Sequence, residues 1–131
     1  MEKRIAELRS LKEGRYILID DVPCRISKMS HSKPGKHGGA KVNIEGTGIF
    51  DGKKRNLMKP ASDKTEVPVI DKRVAQVLTK VQDNVQLMDM ESYETFDIPM
   101  PQDPETANLM QEGKEVFYIS WGAQKKITAG K

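Results

Sequence analysis

The apolar residues in the first half of this chain alternate with polar ones or sit in short β-rich runs. Tyr16-Ile17-Leu18-Ile19, Cys24-Arg25-Ile26 and Val42-Asn43-Ile44-Glu45 are each β-rich or period-two segments. Turn residues such as Gly14, Asp20-Asp21 and Asp51-Gly52 punctuate them. Short strands joined by tight connections follow from that pattern, and the first half reads as a small β-barrel. Residues 2–9 offer one or two helical turns, with no strong cap behind them.

The stretch TEVPVID, Thr65 to Asp71, is extended, and the charge balance reverses immediately after it, which places a domain boundary near residue 69. Beyond it, Val74–Lys80, Val85–Met90 and Tyr93–Ile98 are expected to form an antiparallel meander. A helix is expected next: Asp103 is a good N-cap, Pro104 fits the first helical position, and Gly113 closes the segment PETANLMQEG. Glu115–Trp121 and Lys125–Thr128 supply two more strands. Three strands, a helix and two strands is the element order of an OB-fold, a five-stranded barrel often used on oligonucleotides. The expected fold is therefore all-β: two small barrels, residues 1–69 and 70–131, with one short helix in the second. Barrels suit halves of this size, because a domain of about 60 residues buries only roughly 60% of its unfolded surface and closure limits free strand edges.

Composition narrows the class. Hydrophobic residues at 37% and charged residues at 31% of 131 describe a soluble globular chain, and no apolar run approaches the roughly 20 residues of a membrane span. The opening Met1-Glu2-Lys3-Arg4 lacks the features of a signal peptide, so a cytoplasmic location is expected. Cys24, the single cysteine, has no internal disulfide partner and lies in an apolar context, as a small buried hydrophobe would. The net charge of +3 conceals an asymmetry. Residues 1–69 hold 15 Lys+Arg against 9 Asp+Glu, whereas residues 70–131 hold 7 against 10. Eight of the basic residues, with only two acids, fall between positions 28 and 59. A one-sided positive face suits a polyanion, and a solvated lysine surface would look the same. Five of the seven aromatics (Tyr93, Phe96, Phe117, Tyr118 and Trp121) lie in the second half, where alternation points to core positions. The basic half has only Tyr16 and Phe50, so phosphate contacts fit it better than base stacking.

Within the basic stretch, HSKPGKHGGAK (His31 to Lys41) sets Lys36 among glycines and beside Pro34. A phosphate-cradling P-loop would need glycine at position 30 and Ser or Thr after the lysine; the chain has Ser30 and His37. Metal binding by His31, His37 and Cys24 lacks ligand spacing, and a Cys–His nucleophile lacks a third group. A Schiff-base lysine needs a desolvated pocket, which a glycine-flanked loop does not provide. Presentation remains: a ten-residue loop from Ser30 to Gly39 could project about 16 Å at roughly 3.3 Å per residue. Pro34 restricts one arm, and Gly35, Gly38 and Gly39 leave the apex unobstructed. A plain basic loop with an incidental lysine satisfies the same physics.

SKPGKHGGAK with GIFDGKK after it resembles the hypusine loop of the translation initiation factor 5A family, in a form similar to its archaeal branch. LKEGRYILIDDVPCRI, VPVIDKR and VQLMDMESYETFDIPMP extend the resemblance along nearly the whole chain. It implies an SH3-like N-terminal barrel carrying the modified-lysine loop (30–39) and a C-terminal, RNA-binding-like OB-fold. It implies that Lys36 receives an aminobutyl group derived from spermidine, attached by deoxyhypusine synthase, giving deoxyhypusine or hypusine. The ribosome, rRNA and peptidyl-tRNA are the implied partners, with Lys33, Pro34, Gly35, His37, Gly38, Gly39 and Lys41 shaping the loop or contacting RNA. No bound cofactor, metal or catalytic residue is expected, and the chain is expected to be monomeric and not an enzyme. Two rivals remain: a general RNA-binding module using an unmodified loop, and a small enzyme, for which no paired carboxylates are evident.

Overall fold

A computed structural model describes residues 1–32 and 39–131. The chain divides into two compact units, Met1–Val69 and Ile70–Lys131. Both are built from curled antiparallel sheets.

In the first unit, β2 (Tyr16–Ile19), β3 (Val22–Ser32), β4 (Lys41–Gly48) and β5 (Lys54–Pro60) form a four-stranded meander, while β1 (Lys3–Glu7) pairs with β6 (Lys64–Pro68). Asp20 and Asp21 make the β2–β3 turn with φ of 52° and 61°, values that fit a two-residue hairpin and that Asp tolerates better than most residues. Alternation then sends Cys24, Ile26, Val42 and Ile44 inward, where they pack with Leu8, Leu11, Ile17, Ile19 and Val67. Cys24 is fully buried, as its context indicated, and burial raises its thiol pKa.

Of residues 2–9, where one or two helical turns are expected, Lys3–Glu7 is not helical. Lys3–Glu7 is a strand held by β6 in the register Lys3↔Pro68 to Glu7↔Lys64, with a 2.7 Å ion pair between Lys3 and Glu66, and only Leu8–Ser10 makes a 3-10 turn. Ile5 is 70% exposed, so the segment has no buried helical stripe; ladder hydrogen bonds to a strand some 60 residues away decide its conformation.

The second unit has the sheet order β11-β10-β7-β8-β9, with β7 (Asp71–Val81), β8 (Asn84–Asp89), β9 (Thr95–Pro99), β10 (Glu115–Trp121) and β11 (Gln124–Gly130). Counted within the unit this is 3-2-1-4-5 reversed, with the helix between the third and fourth strands, which is the OB arrangement left open between β9 and β11. Helix α1 spans Pro104–Asn108, shorter than the sequence segment, the remainder up to Gly113 being turn. Asp103 caps it, accepting from the Thr106 N–H at 3.0 Å and its hydroxyl at 2.8 Å. Past the helix, Met110 is driven into the core beside Ala75, Val77, Val85, Leu87 and Val116. Gly113, at φ 84°, turns the chain back so that its N–H donates to Val77 and the Val77 N–H donates to Lys114.

Of the five aromatics assigned to the core, Tyr118 and Trp121 are buried and Phe96 is half-buried, but Tyr93 is 67% and Phe117 41% exposed. Phe117 precedes Tyr118 on one strand, so period two turns the two rings to opposite faces. Tyr93 sits in the β8–β9 turn with φ 60°.

Close packing around Gly46 gives a direct test. A Cβ at this position would lie 2.9 Å from Ile19 Cδ1 and 3.1 Å from Cys24 Cβ. Gly46→Ala is expected to lower the stability of the first unit by about 1–3 kcal/mol through overpacking, read by urea denaturation, whereas Gly39→Ala, where a Cβ meets open space, should change it little.

Candidate functional site

The β3–β4 hairpin carries the flanks of the loop. Its register runs from Cys24↔Gly48 to Ser32↔Lys41, interrupted between Ile26 and Lys28. Ser27 is the extra residue there, and its hydroxyl donates to the Glu45 carbonyl at 3.0 Å. Such a bulge bends the strand and increases its twist, so the arm beyond it departs from the barrel wall. Exposure follows the bend: Lys28, Ser30, His31 and Ser32 are exposed, with only Met29 half-buried among them.

Pairing extends to Ser32, so the connection is shorter at its start than the ten residues expected, and Ser30–Ser32 belong to the strand. The other flank is pinned twice: Lys41 pairs with Pro60 on β5, and the Ala61 N–H donates to the Ala40 carbonyl at 2.8 Å. Val42, next to Lys41, is buried, so Lys41 points outward by alternation and is exposed. Gly39 is exposed, and neither crowding nor a positive φ at this position requires glycine. Lys33, Pro34, Gly35, Lys36, His37 and Gly38 lie outside the described residues.

The basic stretch is not uniformly available to a partner. Arg55 is held by Asp51 in a two-pronged ion pair, Nη2 at 2.9 Å and Nη1 at 3.2 Å, at the β4–β5 turn. That guanidinium, with the Lys53 N–H, holds the Asp51 carboxyl down to about 2. Lys59 donates to the Lys64 carbonyl at 3.1 Å. Lys28, Lys41, Lys53 and Lys54 are exposed and make no ion pair among the described residues.

A second polar centre escaped sequence reasoning. Asp89, buried at the end of β8, accepts from Arg73 Nε at 2.5 Å and Nη2 at 3.0 Å, from the Tyr118 hydroxyl, and from the Glu91 and Ser92 N–H groups at 2.8 and 2.9 Å. The Arg73 guanidinium holds the Asp89 carboxyl far below the usual range against the opposing effect of burial. Arg73 is raised in turn, chiefly by its hydrogen bond to Asp89, and burial followed by the hydrogen bond to Asp89 raises Tyr118. No described group of three or more His, Cys, Asp or Glu side chains is arranged to hold a metal ion. No helix among the described residues is long and apolar enough to cross a membrane.

Two β units, the first extending a twisted hairpin with basic flanks, make a scaffold for presenting a loop. The family model described as translation initiation factor 5A-like, N-terminal, matches residues 4–63, which include the whole hairpin, and identifies the scaffold as that of a translation factor. The chain belongs to the translation initiation factor 5A family. It is 50% identical to translation initiation factor 5A of Methanopyrus kandleri over 92% of this chain and 89% of that one. With the Thermococcus kodakarensis factor it shares 51% identity over 89% of this chain and 88% of that one. A solved structure described as eukaryotic translation initiation factor 5A from Methanococcus jannaschii superposes with a TM-score of 0.86 at 45% identity, covering 98% of this chain and 95% of that one. A family protein from Naegleria fowleri superposes at 0.76 with 31% identity, covering 100% and 99%.

The Asp89 network makes acid stability a test. A carboxyl whose folded pKa is depressed contributes stability that is complete above its unfolded value, near 3.9, and is lost as pH falls through the folded value. Arg73, being raised, stays charged throughout that window. Asp89→Asn is expected to cost up to about 3–5 kcal/mol at pH 7 by removing the buried carboxylate from Arg73, which keeps only the exposed Glu91 at 3.5 Å. Its denaturation midpoint should also vary less than the wild type's between pH 5 and 2.

Proposed function

We propose that this translation factor acts on the ribosome through a modified side chain at Lys36. In this reading deoxyhypusine synthase attaches an aminobutyl group from spermidine, and the product, deoxyhypusine or hypusine, is a longer cation with two amines. That side chain braces the acceptor end of peptidyl-site tRNA while the ribosome performs the chemistry, a positional assistance that matters most when the nascent peptide reacts poorly, as in proline runs. The factor itself is not an enzyme in this scheme.

The observation that carries the proposal is the hairpin paired up to Ser32↔Lys41, beyond a bulge that bends β3 and with its far flank tied to β5 through Lys41↔Pro60 and Ala40–Ala61. Flanks ordered by ladder hydrogen bonds define the ends of the segment containing Lys36. A loop with fixed ends loses less freedom on docking than a free tail. Lys28 and Lys41 are exposed on these arms, where they supply contacts to phosphate on rRNA or tRNA. Family membership supports the ribosomal setting. Among the loop residues, Lys33 and Lys41 are assigned phosphate contacts, Pro34 the restriction of one arm, and Gly35, Gly38 and Gly39 clearance. His37 neighbours the modified group.

Three measurements test this reading. The intact mass of protein from its native cells should show the aminobutyl addition on the Lys36 peptide. Lys36→Arg should abolish stimulation of proline-rich peptide synthesis without altering thermal unfolding. An unmodified native Lys36, together with full stimulation by the variant, would falsify the proposal. Lys41→Ala should weaken ribosome binding several-fold, by about 1 kcal/mol, with a shallower salt dependence.

A further inference from the structure

Helix α1 and the residues after it lie at one end of the second unit, where the Leu109 side chain approaches Gly130 at the end of β11. Among the described residues of this unit, the opposite end has no such cap. Antiparallel order gathers there the starts of β7, β9 and β11 and the ends of β8 and β10, around a cavity of about 290 Å³. Its floor is the Arg73–Asp89–Tyr118 network, and one wall is Phe96, whose ring packs on Tyr118 with centroids 5.0 Å apart.

The charges of this mouth are unbalanced. Arg73 is taken up by Asp89 and, at 3.5 Å, by Glu91, which leaves the carboxylates of Asp71 and Glu94 facing a single cation, Lys125. Lys125 makes no ion pair among the described residues; its ammonium lies 5.2 Å from the centre of the Phe96 ring. The cavity thus already holds an alkylammonium against its aromatic wall, an arrangement that attracts cations generally. Ser120, only 9% exposed, also lines the cavity, and its hydroxyl has no hydrogen-bond partner among the described residues.

We propose that this mouth is a receptor for a lysine or arginine side chain from a basic segment of a protein partner, with Lys125 occupying the place until the partner arrives. When Lys125 swings into solvent, the incoming cation takes the Phe96 face, pairs with Asp71 and Glu94, and donates to the Ser120 hydroxyl. Anionic ligands such as nucleotides meet two carboxylates, Asp71 and Glu94, against the one cation Lys125 here, so the site differs in sign from the basic face of the first unit. Tyr93 argues for a peptide over a free amine. It is 67% exposed in the turn between Ser92 and Glu94, both of which line the cavity, and an exposed aromatic at the rim offers contact to a residue neighbouring the inserted cation. This proposal does not involve Lys36, so it stands or falls apart from the one above.

The test is a titration of the isotope-labelled full chain, followed by backbone amide NMR shifts. Three probes are used: the blocked peptide acetyl-Gly-Arg-Leu-Gly-amide, a linear tetra-amine and adenosine 5′-monophosphate. The peptide is expected to give saturable shifts confined to Ser92, Thr95, Phe96, Ser120 and Lys125. Asp71→Asn with Glu94→Gln should weaken it about tenfold, the size of effect that two exposed ion pairs supply. Lys125→Ala should tighten it roughly two- to fivefold, since the competing cation–π contact is gone. Asp71 and Glu94 are exposed, so unchanged shifts elsewhere confirm that these variants fold. Tighter binding of the tetra-amine than of the peptide overturns the assignment to a protein side chain, and tighter binding of the nucleotide overturns the assignment to a cation. Peptide shifts scattered over the surface, or indifferent to the Asp71 and Glu94 changes, overturn the site itself.

Discussion

Because successive side chains of a strand point to opposite faces, the pairing of β3 with β4 decides at once what the first unit buries and what it displays. Ile26 lies opposite Gly46 and Met29 opposite Ile44, so the inner face closes on Ile17, Ile19 and Leu8, while Lys28, Ser30 and Ser32 are turned outward. A one-residue slip would reverse every one of these assignments. The Ser27 bulge alters the phase at one chosen place, and it separates the barrel part of the hairpin from its projecting part. Gly46 permits the barrel part to close, since Ile19 and Cys24 occupy the space a side chain would need. The projecting part needs no core of its own, because the ladder to β4 and the ties from β5 hold it.

The second unit meets the same problem with a different balance of forces. One end of its barrel is closed by apolar residues following α1, above all Met110; the other is closed by a buried charge and its partners. Asp89 accepts five hydrogen bonds, more than enough to compensate the loss of water around one carboxylate. The two N–H donors from Glu91 and Ser92 also fix the β8–β9 turn, which is why Tyr93 and Glu94 have a defined place at the rim. A polar closure leaves room where an apolar plug would fill it.

Much of this was legible in the chain. Tyr16–Ile19, the alternation from Val42 to Glu45 and the Asp103-Pro104 cap express local preferences that the tertiary structure keeps. What the sequence did not disclose depends on distant partners. Lys3–Glu7 is a strand only because β6 lies beside it, and Lys54–Pro60, rich in charge, conceals a half-buried Arg55, Leu57 and Lys59 on one face. Phe117 and Tyr118 show the limit of alternation, which states that two neighbours differ and leaves open which one is inside. Arg73, Asp89 and Tyr118 are separated by 16 and 29 residues and carry no motif, so only the fold brings them together. The candidate site shows the opposite balance: the expectation for Lys36 rests on the letters around it, and the structure describes only its flanks, the anchoring of Lys41 and the length of the paired arms.

Cys24 has a further consequence. It is the sole cysteine, fully buried in the first unit, where burial pushes its thiol pKa up. Trp121 is the sole tryptophan and belongs to the second unit. Nature has therefore placed one chemical reporter in one half and one optical reporter in the other. Alkylation of Cys24 times the opening of the first unit, while indole emission follows the second, so the native chain can report whether its halves come apart together or in succession without any label being engineered into it.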